Sequence, residues 1–235
     1  MKKIIGRGLM ARSFENAYFN KDVLILASGV SNSQETRVSE FSRELDLVSS
    51  EIISNKDSTV IYFSTCSTDF KNDTPYVLHK LKIEKLLASK CDTYHIFRLP
   101  QVVGFVKNQT LISYFVNSIV NNLEINIQSK SSRDLIDVDD VVRIVSYLVN
   151  NNACLNSVIN IATGNSIPTY DIFSYILNFS GLDVNYFLLD TGEKQKTDSS
   201  FLRNNIPNDI IFEDNYWKDV LNKYLPLYFN DQFKE

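Results

Sequence analysis

Residues Val23-Leu24-Ile25-Leu26-Ala27 form a near-continuous apolar run, opened by Asp22 and closed by Ser28-Gly29-Val30-Ser31-Asn32. A strand with one wet face alternates apolar and polar side chains. A run that does not alternate has both faces buried, as in a parallel sheet covered by helices on each side. Thr59 to Phe63 and Thr93 to Phe97 read as further strands. Between them, residues 35–55 carry Val38, Phe41, Leu45, Val48 and Ile52 on one helical stripe. Pro75 opens a second helix that continues through Lys80 to Lys90. This β-α-β alternation predicts an α/β chain built on a parallel sheet.

The N-terminus repeats the pattern. Lys3-Ile4-Ile5 runs into Gly6-Arg7-Gly8-Leu9-Met10-Ala11 and then an amphipathic stretch to Phe19, which reads as strand, tight turn and helix. Gly6 and Gly8 let the backbone turn and approach a pyrophosphate, and Ala11 allows close helix packing. Later in the chain, Ser113 to Leu123 reads as a helix and Glu124 to Gln128 as a short strand. Asp137-Val138-Asp139-Asp140 starts a helix with acids at its positive end, carried on by Val141, Ile144, Val145 and Leu148. Ser157 to Ala162 predicts a strand, Gly164 to Pro168 a turn, and Thr169 the cap of a helix to Phe179. Trp217, Val220, Leu221 and Tyr224 suggest a terminal helix, and the polar stretch Asp190 to Pro207 a loop.

Composition excludes several functions. Net charge is -4 with no basic block, so nucleic acid, which calls for a clustered Lys/Arg stripe, is not an expected partner. Cys66, Cys91 and Cys154 are odd in number and lack metal spacing, and only His79 and His95 offer imidazole. A reduced, metal-free protein is expected, with Asp137, Asp139 and Asp140 serving helix capping. Lys2-Lys3 precede too short an apolar run for a signal peptide, and no window approaches the ~20 apolar residues of a membrane span. The expected location is cytoplasmic.

Chemistry concentrates where the Thr59 strand ends in Ser64-Thr65-Cys66-Ser67 and Pro75-Tyr76-Val77-Leu78-His79-Lys80 opens a helix. Tyr76 and Lys80 are four apart and share a helix face, where an ammonium favours phenolate over phenol. Such a tyrosine can act as general acid or base. With 12 tyrosines in the chain, one such spacing arises by chance, so its context decides. That context is the glycine turn, Arg98-Leu99-Pro100-Gln101-Val102-Val103-Gly104, and Arg133-Asp134-Leu135-Ile136-Asp137-Val138-Asp139-Asp140.

In this order, from about residue 3 to residue 180, the motifs resemble the extended short-chain dehydrogenase/reductases, closest to their sugar-nucleotide epimerase/dehydratase and reductase branch. The resemblance implies a Rossmann-type parallel sheet with a small C-terminal substrate-binding portion. Residues 1–105 would be a shortened cofactor-binding core, and residues 106–235 substrate-binding elements plus returning strand(s). It implies NADP or NAD held by Gly6, Arg7, Gly8, Leu9, Met10, Ala27, Ser28, Gly29, Ser64, Tyr76, Lys80 and Pro100. Tyr76 would donate or accept the proton, Lys80 would contact the nicotinamide ribose, and Thr65 would assist the substrate oxygen, with Ser64 and Cys66 as alternatives. Cys66, Gln101 and Arg133 would meet a nucleotide-sugar substrate, Arg133 at its diphosphate. Members of this branch also imply a homodimer through the 35–54 and 76–90 helices, and a place in polysaccharide biosynthesis.

Three departures narrow the expectation. Only about two residues separate the first helix from the Val23 run, where the family places two further strands and a helix, so the acid that grips the adenosine ribose is missing. Glu15 and Asp22 do not stand at a second strand's end, and Arg7 and Arg12 tilt the balance towards NADP. Cys66-Ser67 follow Thr65 where dehydratases carry Asp-Glu, which disfavours loss of water. Phe105-Val106-Lys107 lacks the histidine of the epimerising reductases, so keto-sugar reduction is slightly favoured. The alternative is a non-catalytic nucleotide-binding or scaffold relative.

Overall fold

The computed structural model describes residues 1–70, 73–106, 110–206 and 209–232. Its elements are β1 Lys2–Ile5, α1 Leu9–Ser13, β2 Val23–Leu26, α2 Val38–Ser54, β3 Thr59–Thr65, α3 Pro75–Lys90, β4 Tyr94–Leu99, β5 Gln101–Val103, α4 Leu111–Val120, β6 Ile125–Gln128, β7 Ser132–Arg133, β8 Leu135–Asp137, α5 Val138–Asn150, β9 Ser157–Asn160, β10 Ile167–Pro168, α6 Thr169–Ser180, β11 Tyr186–Leu189, α7 Ser200–Asn205 and α8 Tyr216–Gln232. They form two compact units. The first is Met1–Pro100, Val138–Ala162 and Asp198–Ile210, and the other described residues make the second.

The first unit is a five-stranded parallel sheet in the order β1-β2-β3-β4-β9. All four residues of β2 are buried, as its unbroken apolar run requires, and so are all seven of β3. Side chains alternate across a strand. Leu24, Leu26, Val60, Tyr62 and Ile96 face α2 and α3 and pack with Val48, Ile52, Ile83 and Leu87. Each fully buried aliphatic side chain there contributes about 1.5–3 kcal/mol. Phe63 points to the other face and meets Phe14 with ring centroids 5.2 Å apart, and on that face α1 packs against α5. The β1-α1-β2 and β2-α2-β3 crossovers therefore step the same way over opposite faces and have opposite hands. Such crossovers are right-handed in about 98% of cases, so one of these two departs from the rule.

Several expectations need correcting. The first helix ends at Ser13 rather than Phe19. The Lys2 ammonium collects the carbonyls of Phe14, Glu15 and Ala17 at 2.9, 2.5 and 2.7 Å, which diverts them from further helical bonds. Val38 is 75% exposed at the start of α2, and Glu44 lies buried within the stripe instead. The Asp190 to Pro207 stretch contains α7, anchored by buried Leu202; Pro207 lies outside the described residues.

The second unit contains three two-stranded sheets, β5–β8 and β6–β11 parallel and β7–β10 antiparallel. Helices α4, α6 and α8 pack together, with Phe115 edge-on to Phe173 at 5.4 Å. A capping box between Thr110 and Ser113 starts α4. Thr169 does not cap α6: it is the first helical residue, and its hydroxyl accepts from Ser131 at 2.7 Å.

Candidate active site

Thr74 caps α3 by accepting from the Val77 amide at 3.3 Å, and Pro75 sits in the first turn. That start fixes the face on which Tyr76 and Lys80 stand, and both are buried. Tyr76 packs with Val30, Val77, Phe41 and Leu81, and the Lys80 Nζ lies 5.9 Å from its ring centroid. The same ammonium donates to Glu44 Oε1 at 3.1 Å and to the Tyr62 hydroxyl at 3.0 Å.

Glu44 is the hub of this cluster. Its carboxylate also accepts from the Tyr62 hydroxyl at 2.8 Å, the Val30 amide at 2.7 Å and, across 3.0 Å, pairs with His79 Nε2. Burial alone would raise its pKa. The His79 bond, the Lys80 charge, the Val30 amide and the Tyr62 hydroxyl outweigh burial and hold it at about 2. Burial and the Glu44 charge push Tyr62 well above the ordinary tyrosine range, so Tyr62 stays a phenol. The Lys80 charge is thus matched by a buried carboxylate, a partner the Tyr-x-x-x-Lys spacing does not reveal. An acid between Phe41 and Val48 on an apolar stripe is the signal that would have found it.

The strand-end hydroxyls divide. Ser64 donates to Glu84 Oε1 at 2.5 Å. Arg98 clamps Glu84 at 3.0 and 2.7 Å and Asp69 at 2.7 Å, which makes Arg98 the structural ion-pair partner of this strand end. Cys66 is buried with its Sγ 3.3 Å from the Arg98 carbonyl. Thr65 accepts from the Ser67 amide at 3.1 Å, capping the turn Cys66–Asp69, a bond that leaves its own O–H to donate.

Glycines bring backbone close at two places. Gly6 has φ 140°, and a Cβ there would lie 2.3 Å from the Ala27 carbonyl oxygen. A Cβ on Gly29 would lie 2.5 Å from Glu44 Oε1 and 2.7 Å from Lys80 Nζ. Gly8 has no atom within 4 Å of its would-be Cβ, and Arg7 and Arg12 beside it are exposed. Leu9 and Met10 begin α1, Ala27 and Ser28 follow β2, and Pro100 follows β4.

In the second unit, Arg133 Nη1 donates to the Ser132 carbonyl at 2.7 Å, and among the described residues no carboxylate pairs with this guanidinium. Burial lowers its pKa. Asp134 accepts from the Thr163 hydroxyl at 2.8 Å and the Gly164 amide at 2.7 Å; burial outweighs these bonds and raises its pKa to about 6. Asp137 is held by Lys223 at 2.6 Å and Tyr224 at 2.7 Å, and Asp140 faces Arg143 at 3.2 Å. Gln101 Nε2 reaches the Val102 carbonyl at 3.4 Å. Among the described residues no group of His, Cys, Asp and Glu could hold a metal ion, and no helix is long and apolar enough to cross a membrane.

A parallel α/β sheet with Ser-Thr at a strand tip and a Tyr-x-x-x-Lys helix beside it defines an extended short-chain dehydrogenase/reductase. The chain belongs to the NAD dependent epimerase/dehydratase family, whose model matches residues 12–162. It is thereby an enzyme, and the non-catalytic alternative is not favoured. Among curated protein sequences none matches significantly. Solved structures do. UDP-N-acetylglucosamine 4-epimerase from Methanobrevibacter ruminantium M1, in complex with UDP-N-acetylmuramic acid, is 19% identical with TM-score 0.70 over 96% of this chain and 80% of that one. UDP-N-acetylglucosamine 4-epimerase from Bacillus cereus is 20% identical with TM-score 0.67 over 88% and 77%. RMD from Pseudomonas aeruginosa, complexed with NADPH, is 14% identical with TM-score 0.66 over 88% and 82%. At such identities the likeness establishes the fold.

For the family's cofactor, the nicotinamide side finds matching residues. Gly29 lacks the Cβ that would crowd Lys80, and Lys80 has spent two of its three donors on Glu44 and Tyr62. The adenosine side does not. Among the described residues β1 is the last strand on that side of the sheet.

Proposed function

We propose that the chain catalyses NAD- or NADP-dependent oxidoreduction at a hydroxyl or keto carbon of a nucleotide-linked sugar, with keto-sugar reduction favoured over epimerisation. The observation that carries this reading is the Lys80 ammonium pinned beside Gly29, one helical turn after Tyr76 on the same face. The bound nicotinamide would supply the hydride. Tyr76 exchanges the proton at its hydroxyl with the substrate oxygen, Thr65 donates to that oxygen, and Lys80 offers its remaining N–H to a ribose hydroxyl. Gly6, Arg7, Gly8, Leu9 and Met10 are assigned to the phosphate, and Ala27, Ser28, Gly29, Ser64 and Pro100 to the nicotinamide side. Arg133, whose guanidinium pairs with no carboxylate among the described residues, suits a sugar-nucleotide diphosphate, with Gln101 and Cys66 as further substrate contacts. The residue after Thr65 is Cys66, not an acid, which supports reduction over dehydration; Lys107, where no histidine stands, lies outside the described residues. A homodimer through α2 and α3 is part of this reading, drawing on exposed Val38, Ile53 and Leu78.

Tyr76→Phe tests it. The ring and its packing stay, while the transferable proton goes, so kcat on a keto nucleotide sugar with NADPH should fall about 10²-fold or more. Unchanged turnover in the variant would remove Tyr76 from the mechanism.

A further inference from the structure

A dinucleotide-binding sheet is made of two mononucleotide-binding halves flanking its first strand, in the order 3-2-1-4-5-6, and the ligand lies across the point where the order reverses. Here the order β1-β2-β3-β4-β9 never reverses. One half of the scheme is present. The crossovers before and after β2 leave over opposite faces, so chain diverges from the strand tips between β1 and β2. At that place the Ala27 amide donates to the Ile5 carbonyl at 2.8 Å, and Gly6 has no room for a Cβ.

What stands on either side of this place differs. Towards β2 and β3 are Gly29, Thr65, Tyr76 and Lys80, with Lys80 fixed by Glu44 and Tyr62. Beyond β1, among the described residues, there is no strand end to meet a second ribose. The two nearest acids lie at the other end of the sheet. Glu15 sits where its carbonyl receives Lys2, from the first residue of β1, and Asp22 immediately precedes β2.

We infer that this chain holds a nicotinamide dinucleotide by its nicotinamide mononucleotide half alone, the adenosine half projecting beyond the edge strand and adding no affinity. The inference rests on the cofactor reading above and specifies which half of that cofactor is recognised. One consequence concerns selectivity. NAD and NADP differ only on the adenosine ribose, so they bind alike, and the tilt towards NADP read from Arg7 and Arg12 disappears. Those two side chains are exposed, where salt screens charges beyond roughly 8–10 Å.

Calorimetric titration of the full chain with nicotinamide mononucleotide, NAD, NADP and ADP-ribose tests this without turnover. The first three should bind with dissociation constants within about fivefold, that is within about 1 kcal/mol, and ADP-ribose at least about thirtyfold more weakly. Lys80→Met should weaken the first three by the same factor, which ties them to one site. If NAD binds about thirtyfold or more tightly than the mononucleotide, or ADP-ribose matches NAD, the half-site inference is overturned while the cofactor reading stands. If none of the four binds, both fall together.

Discussion

Glu44 and His95 are both buried and titratable, and they make the acid limb of stability legible residue by residue. Glu44 is held at about 2, against 4.5 for an ordinary glutamate. Its stabilisation is complete above about pH 4.5 and drains away as pH falls towards 2. His95 lies fully buried in β4, stacked on Phe97 at 5.8 Å, and its Nε2 has no partner among the described residues. Burial first, then the Lys21 charge, lowers its pKa from 6.5 to about 4, against the raising effect of its hydrogen bond to the Cys154 backbone. A neutral histidine that must charge on unfolding contributes stability in full above pH 6.5, lost as pH falls through 6.5 to 4. The upper part of the acid limb therefore belongs to His95 and the lower part to Glu44. Asp134, whose raised pKa adds stability as pH falls from about 6 towards 4, offsets most of the His95 loss in this window, so in urea titrations at pH 7, 5.5 and 4.5 the His95→Leu variant should gain on the parent by on the order of 2 kcal/mol as pH falls. Parallel pH profiles for the two chains would remove His95 from the acid limb.

At the scale of elements, β2 and β3 were legible because an apolar run without alternation has few alternatives to a buried parallel strand. The four-residue stretch around Thr65 and the six-residue stretch holding Tyr76 and Lys80 were legible for a related reason: strand end and helix start bring them to one unit. The short strands β5, β7, β8 and β10 were not, since two or three residues carry no period. Nor was β11, whose four residues are all exposed and whose pairing with β6 is set far away in sequence. The end of α1 escaped because its cause is the Lys2 ammonium, reached only once β1 is in place. Gly6 joins these two levels. Its φ of 140° is reserved for glycine, and a side chain there would strike the Ala27 carbonyl rather than a movable side chain. Gly6→Ala must therefore shift the β1 tip away from β2. We expect a loss of about 2–3 kcal/mol, read from the urea midpoint, whereas Gly8→Ala, with open space around it, should cost under about 1 kcal/mol. Equal losses would mean that the close approach at Gly6 is not what the glycine serves.

The two units interleave along the chain, and this limits where the molecule can be cut. The sequence reading closes a core at residue 105 and expects returning strand(s) from the rest; in the structure α5, β9 and α7 return to the first unit, from residues 138–162 and 198–210. Helix α5 buries Val138, Val141, Ile144, Val145, Leu148 and Val149, and β9 pairs with β4 from His95↔Ser157 to Arg98↔Asn160. At about 1.5–3 kcal/mol for each buried side chain, α5 alone supplies roughly 10 kcal/mol or more. That is comparable to the ~5–15 kcal/mol net stability of a whole domain. Without it, Phe14 and Phe63 lose part of the cover on their face, and β4 becomes an open edge. A fragment of residues 1–105 should therefore lack near-UV circular dichroism, bind a hydrophobic dye such as ANS and unfold without a cooperative transition. The full chain should do none of these. A fragment that unfolds cooperatively in urea with native near-UV signal would show that β1 to β4 with α2 and α3 suffice, and that the returning elements decorate the sheet rather than complete it.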